Sequence, residues 1–493
     1  MARRIAWLGV VMTVCFAALF FQLNNIQVVK AHRYATDPAN PAVALKRNTL
    51  PRGRIQASDG TTVLAVSVAN PDPKSSYKYL LQYPGGSLYS QIVGIDSIYY
   101  GLYGVEASYN NVLLSHNQPV RTLRDLLTTH TVTDTVTLTL IPSLQAEARN
   151  ALGGKDGAIV VLNPTTGAIE AMYSNPTFDP NGFTSTDFAT QKAAWFFAQA
   201  KNAQGFAGFT SLAYQDVFPP GSTFKTVTSS AAYDRAPPLV NKVQPTISCI
   251  QPGQVQGLTK PLCNFGHGSC GGTVPVMLPP SCDTGFALLG TQIGRFNMYN
   301  EAYGFGFDQQ PPLDLPHSYN QISKFPTPQQ VAGADAFLAY ASIGQDYTLA
   351  SPLQMAMVAG AIANHGVVMN PHVMLEVNDS QGNLVTRYQL KPWLTATSPA
   401  TAASVSGLMQ QVVQHGTAQG IFPPQDNVAA KTGTAQVGVG NTNTTDWMIA
   451  FAPANNPKVA IAVVVPNQPL SGTGAQVAGP IMNQMIQAAL ALP

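Results

Sequence analysis

The order of strand-like and helix-like stretches predicts an α+β protein whose main domain is an antiparallel sheet with helices packed on both faces. Three observations carry that prediction. A two-strand hairpin occupies residues 157–173, three strand runs follow residue 428 with a closing helix behind them, and a large helical insert lies between the two groups. Two strands plus three give a five-stranded sheet. Ahead of it the chain predicts a loop-rich mixed segment and, at its start, one apolar run.

Arg3 and Arg4 precede that run, which extends from Ile5 to Leu23 and is broken only by Gly9, Thr13 and Gln22. About nineteen helical residues just span a hydrocarbon core. A cleaved signal peptide competes, because Ala17 and Ala18 suit a peptidase. The run is long for that purpose, however, and Val14 before Cys15 does not fit a lipoprotein site. The sequence therefore predicts a cytoplasmic tail at 1–4, a transmembrane anchor at 5–23, and everything after it outside.

Residues 24–150 read as a mixed pedestal. Arg52-Gly53-Arg54-Ile55 leads to the turn Asp59-Gly60 and a strand from Thr61 to Val66. Gly104 to Leu113 reads as one short helix, Thr135 to Thr139 alternates like a strand, and Pro142 to Leu152 reads as a helix with Leu144, Ala148 and Leu152 on one side. No chemistry is visible in this part. Residues 151–493 make the second domain. Gly157 to Leu162, a turn at Asn163-Pro164-Thr165-Thr166-Gly167, and Ala168 to Tyr173 form the hairpin. Later strands are Val428 to Val437, Trp447 to Ala452 and Val459 to Val465, after which Pro480 opens a final helix through Leu490.

The net charge of +2 over 493 residues points neither to nucleic acid nor to an acidic partner. Charged residues make up 10% of the chain, against about 25% in ordinary soluble proteins. So few ionisable groups suit an acidic medium, and a stability maximum at neutral pH would count against that expectation. Cys249, Cys263, Cys270 and Cys282 cluster in the middle of the chain without zinc-ligand spacing. If that region lies outside the cytoplasm, a disulfide among Cys249, Cys263 and Cys270 is expected; buried free thiols are the alternative.

Chemistry concentrates at Phe218-Pro219-Pro220-Gly221-Ser222-Thr223-Phe224-Lys225. The prolines and Gly221 break regular structure, and on the helix that starts there Ser222 and Lys225 share a face. A serine hydroxyl needs a base to become a nucleophile, and a desolvated amine at this spacing can serve. Unpartnered N–H groups of the first turn suit an oxyanion. Alone, the fragment reads equally as a helix cap with a solvated lysine. Two further fragments tip the balance. Ser281-Cys282-Asp283 heads a helical run, and Lys431-Thr432-Gly433-Thr434 lies on a strand.

These three fragments, in this order, resemble the marks of the penicillin-interacting serine transferases, Ser-x-x-Lys, Ser-x-Asn and Lys-Thr-Gly. The likeness extends along nearly the whole chain. Arg52-Gly53-Arg54-Ile55 and Gly104-Val105-Glu106 are similar to pedestal motifs of the class B penicillin-binding proteins. Asn175-Pro176-Thr177-Phe178-Asp179, Ser342-Ile343-Gly344-Gln345, Ser351-Pro352-Leu353-Gln354 and Gly416-Thr417-Ala418 resemble their transpeptidase domain. The anchor with Phe21-Gln22-Leu23-Asn24 looks like the actinobacterial penicillin-binding protein A subgroup. The segment between anchor and hairpin is too short for a glycosyltransferase domain.

The resemblance implies a penicillin-binding transpeptidase fold and a DD-transpeptidase acting on D-Ala-D-Ala stem peptides, acylated by β-lactams, without metal or cofactor. Ser222 would be the nucleophile, Lys225 its base, Ser281 the proton relay and Lys431 a source of positive potential. Asp283, Thr432, Gly433 and Thr434 would bind the substrate, the two threonines at its terminal carboxylate, and the N–H groups of Ser222 and Thr434 would hold the oxyanion. The likeness extends to partners: the membrane, a polytopic lipid II glycan polymerase, and divisome or elongation proteins, with no nucleic acid. Asp283 departs from the family's Asn. A carboxylate only accepts hydrogen bonds, and beside Lys225 it would hold that lysine protonated. Two other readings remain open: a weakly active penicillin-binding sensor or division scaffold, and a DD-carboxypeptidase or β-lactamase.

Overall fold

The computed structural model describes residues 2–30, 47–117, 131–316, 321–438 and 442–492. Residue 1 of the predicted tail and residues 31–46 and 118–130 of the predicted pedestal lie outside that description. The N-terminal helix runs from Ala2 to Asn24 and continues as a π-helical turn, Asn25–Val29. Its span Ala6–Val29 is long and apolar enough to cross a membrane, and none of it is buried against the rest of the chain.

The five-stranded sheet forms from β1 (Gly157–Leu162), β2 (Ile169–Asn175), β3 (Ala429–Val437), β4 (Asn443–Ala452) and β5 (Val459–Pro469). Its order is β2-β1-β5-β4-β3, antiparallel throughout, so β3 is an edge strand. Every residue of β1, and Val459 to Pro466 of β5, are buried, which explains why both read as near-continuous apolar runs. Helix α1 (Pro142–Leu152) packs against β2 and against the closing helix. Between the two strand groups come α2 (Lys225–Arg235), α3 (Asp283–Ile293), the fully buried α4 (Pro352–Ala363) and α5 (Pro399–His415).

The closing helix α6 runs from Gly474 to Leu490, with Thr473 as its N-cap, so Pro480 lies inside it rather than opening it. Proline favours a first turn but also forgoes one backbone bond further in. Here burial of Ala478, Ile481, Met482, Met485 and Ile486 offsets that loss. The expected helix 104–113 is two short helices, Gly104–Ser108 and Asn110–Leu113. They meet at Tyr109, whose hydroxyl donates to Asp314 Oδ2 at 2.6 Å.

The pedestal motifs meet each other. Arg52 Nε donates to Glu106 Oε2 at 2.7 Å, and Arg47 pairs with Asp96 beside them, all four buried. A second, six-stranded sheet is built from Ile55–Gln56, Val63–Ala69, Tyr79–Gln82 and Thr135–Leu138 together with Met374–Asn378 and Leu384–Arg387. The last two strands come from far along the chain, with Val377 registered against Val136.

Candidate active site

The serine sits at a turn wedged between two other segments. Gly221 has φ +53° and donates its N–H to Gly344 O at 2.9 Å. A β-carbon on Gly221 would lie 3.1 Å from the backbone of Thr434 and Ala435, so the turn packs directly on the edge of β3. Gly433 meets it from the other side: a β-carbon there would sit 2.7 Å from Pro220 O. Trp447 Nε1 donates to Pro219 O at 2.9 Å and fixes the turn's entry. Ser222 lies in a 3₁₀ turn, Gly221–Phe224, and Lys225 is the first residue of α2; the sequence had placed both on one α-helix. Three residues apart in either geometry, they remain neighbours.

Lys225 is completely buried. Its Nζ donates to Asp283 Oδ1 at 2.6 Å, to Ser281 O at 2.7 Å and to Ser281 Oγ at 3.3 Å. Lys431, equally buried, donates to Ser281 Oγ at 2.8 Å and to Thr432 O at 3.0 Å. Ser281 Oγ therefore bridges the two amines, and its backbone takes the left-handed value φ +63° to do so. Ser222 Oγ donates to Asp283 Oδ1 at 3.4 Å. Among the described residues no hydrogen bond joins Ser222 Oγ to Lys225 Nζ directly; both converge on the one oxygen of Asp283.

The electrostatics follow from burial. Desolvation pulls Lys225 below its ordinary pKa while the Asp283 carboxylate works against that shift. Desolvation pulls Lys431 much further down, the charge of Lys225 adds to the effect, and Asp283 again opposes. Thus burial works against the charged form of both lysines, and the Asp283 carboxylate opposes it in each case.

Thr432 Oγ1 and Thr417 Oγ1 are 2.6 Å apart, and Thr434 Oγ1 accepts from Gly474 N at 3.0 Å. Thr417 belongs to Gly416-Thr417-Ala418, so the family likeness had signalled it. The support of Asp283 had no such signal. Phe265 N donates to Asp283 Oδ2 at 3.1 Å, and Thr284 N donates to Asn264 Oδ1 at 2.9 Å. Two disulfides hold this loop, Cys249–Cys263 and Cys270–Cys282. The first lies within the expected trio; the second recruits Cys282, the middle residue of the Ser281-Cys282-Asp283 motif.

A serine at a turn packed on an edge strand, two buried amines bridged by a second serine, and hydroxyls along that strand define an active-site-serine acyltransferase. The chain matches the family model of the penicillin binding protein transpeptidase domain over residues 157–487 and that of the penicillin binding protein A dimerisation domain over residues 52–135. The chain belongs to the penicillin-binding protein transpeptidase family. It is 32% identical to the peptidoglycan D,D-transpeptidase PbpA of Mycolicibacterium smegmatis, covering 99% of this chain and 98% of that one. Identity to the protein of that name from Mycobacterium tuberculosis is also 32%, over 96% of each. The crystal structure of PBPA from M. tuberculosis superposes with a TM-score of 0.80 at 31% identity, covering 90% of this chain and 100% of that one. A ceftriaxone acyl-enzyme complex of that protein gives the same score at 30% identity, with the same coverage.

Proposed function

We infer that this chain is a membrane-anchored serine D-Ala-D-Ala transpeptidase that cross-links peptidoglycan stem peptides and is acylated by β-lactams. The observation that carries the reading is the single hydrogen-bonded cluster of Ser222, Lys225, Ser281, Asp283 and Lys431 beneath the edge strand. Ser222 Oγ attacks the carbonyl of the penultimate D-alanine, and its proton passes to uncharged Lys225. The tetrahedral oxyanion is held by the N–H groups of Ser222 and Thr434. As the bond to the terminal D-alanine breaks, Ser281 delivers a proton to the departing amine and is resupplied by Lys225, which holds the proton taken from Ser222. The amine of a neighbouring stem then attacks the acyl-enzyme, forming the new peptide bond and restoring Ser222. Thr432 and Thr434, with Gly433 keeping the strand against the nucleophile turn, receive the donor's terminal carboxylate.

Residues 24–150 serve as pedestal and 151–493 as transpeptidase domain, with the N-terminus cytoplasmic and the catalytic domain outside. Two disulfides suit that oxidising side. The exposed anchor helix and the pedestal offer the docking surface for a polytopic lipid II glycan polymerase or for division or elongation proteins. One observation favours a second reading, a penicillin-binding sensor with slow turnover: Asp283 opposes deprotonation of Lys225. Mass spectrometry of the protein after penicillin tests the main reading. A penicilloyl adduct on Ser222, absent in Ser222→Ala, is expected, and an unmodified Ser222 refutes it. Turnover of a stem peptide with an acceptor amine then separates enzyme from sensor.

A further inference from the structure

Asp446 stands directly opposite Thr434 across the β3–β4 ladder. Directly paired residues carry their side chains on one face, with Cβ atoms about 5 Å apart. Asp446 is completely buried, and neither carboxylate oxygen has a hydrogen-bond partner. Gly472 crowds it from the approach to α6: a β-carbon there would lie 3.0 Å from Asp446 Oδ2. Among the described residues, none of the elements packed against it turns a charge toward it. On β3 the lone ionisable residue is Lys431, whose amine is turned to Ser281 on the opposite face of the strand. β5, the segment 470–473 and α6 contain no ionisable side chain, and Asp446 is the lone one on β4.

A buried carboxylate without a cation is costly to ionise, so it keeps its proton into a higher pH range. Burial pushes Asp446 up to about 7, with the neighbouring Thr444 hydroxyl opposing. Thr434 Oγ1 already accepts from Gly474 N, which leaves its own proton for one further acceptor. Two acceptors compete for that proton, an ionised Asp446 on the same face of the sheet and an anion bound along the open edge of β3.

We propose that Asp446 is a pH-sensitive positioning residue: uncharged, it leaves the Thr434 hydroxyl to the donor's terminal carboxylate; ionised, it takes that hydrogen bond and repels the anion. This rests on the reading that Thr434 receives the carboxylate. The consequence is a loss of preference for carboxylate-ended donors as pH rises, separate from any change in the lysines.

Two thioester donors with the same acyl group test it, one with a leaving group ending in a carboxylate and one ending in the carboxamide. The ratio of their second-order acylation constants cancels the part that Lys225 and Lys431 play in proton transfer, and the Asp446 variants control for the pull of the lysines on the carboxylate. In the native protein the ratio falls about tenfold between about pH 6 and pH 8.5, the size expected for one hydrogen bond to a charged group. In Asp446→Asn, and in Asp446→Ala as a second variant, it stays level. A level ratio in the native protein, or an undiminished slope in both variants, overturns the proposal. Failure of the carboxylate-ended donor to acylate native Ser222 would instead overturn the transpeptidase reading on which it rests.

Discussion

Replacing Asp283 by Asn removes the carboxylate charge that touches both Ser222 and the lysine proposed as its base. Its Oδ1 lies 2.6 Å from Lys225 Nζ, a separation at which the bare attraction is about 6 kcal/mol for an effective dielectric constant near 20. Desolvation consumes most of such a figure, and hydrogen bonds to charged groups measure about 1.5–3 kcal/mol net. The smaller range decides the magnitude: the uncharged fraction of Lys225 should rise about 10- to 100-fold at neutral pH. Asn retains an oxygen for Lys225 and gains an amide donor, so the geometry survives. Acylation by fluorescent penicillin, followed as a second-order rate constant from pH 4 to 9, should be at least about tenfold faster in Asp283→Asn near pH 7. An unchanged rate near pH 7 refutes this account of Lys225. Loss of acylation would also refute it, because Asp283 would then be taking the proton of Ser222 itself across their 3.4 Å contact.

Gly433→Ala drives a β-carbon to 2.7 Å from Pro220 O and should displace the nucleophile turn. Penicillin labelling should fall about 100-fold, with thermal unfolding lowered by far less than loss of the fold; an unchanged rate would show that the turn is not seated by β3. Arg52→Met leaves Glu106 buried without its partner and should cost about 3–5 kcal/mol in denaturant unfolding, part of which Glu106→Gln restores in the double variant. Burial raises Glu170 to about 7, with the Asn163 amide opposing. A carboxyl with a raised folded pKa stabilises fully below its unfolded value, and that contribution is lost as pH rises through the folded one. Native protein should therefore lose about 1–2 kcal/mol relative to Glu170→Gln between about pH 4.5 and 8, after discounting for partial exposure. Parallel pH profiles for the two proteins would contradict this.

Much of this molecule was legible in the sequence because its signals are local. β1 and β5 read as apolar runs bounded by turns, and the three motif fragments each fell where a turn, a helix start and a strand were expected. The charge at Asp283 and its quarrel with Lys225 were also visible, since a carboxylate can only accept. What stayed hidden depends on distant partners. Nothing near Met374 announces that it will pair beside Leu138, more than two hundred residues earlier. Asn264 looks like any loop residue until its side chain is seen capping α3. Pro480 misled because its preference for a first turn is stronger locally than the burial that holds α6 around it. The Cys270–Cys282 pairing likewise needed the loop's path in space.

The strands Met374–Asn378 and Leu384–Arg387 complete a sheet begun three hundred residues upstream. Severing the polypeptide near residue 150 would therefore not yield two tidy halves. One fragment would bare the flank of Thr135–Leu138, the other a hairpin stripped of its neighbour, and both would expose backbone ready to zip onto foreign strands. Chimaeras that exchange this base among relatives must carry the hairpin along with it.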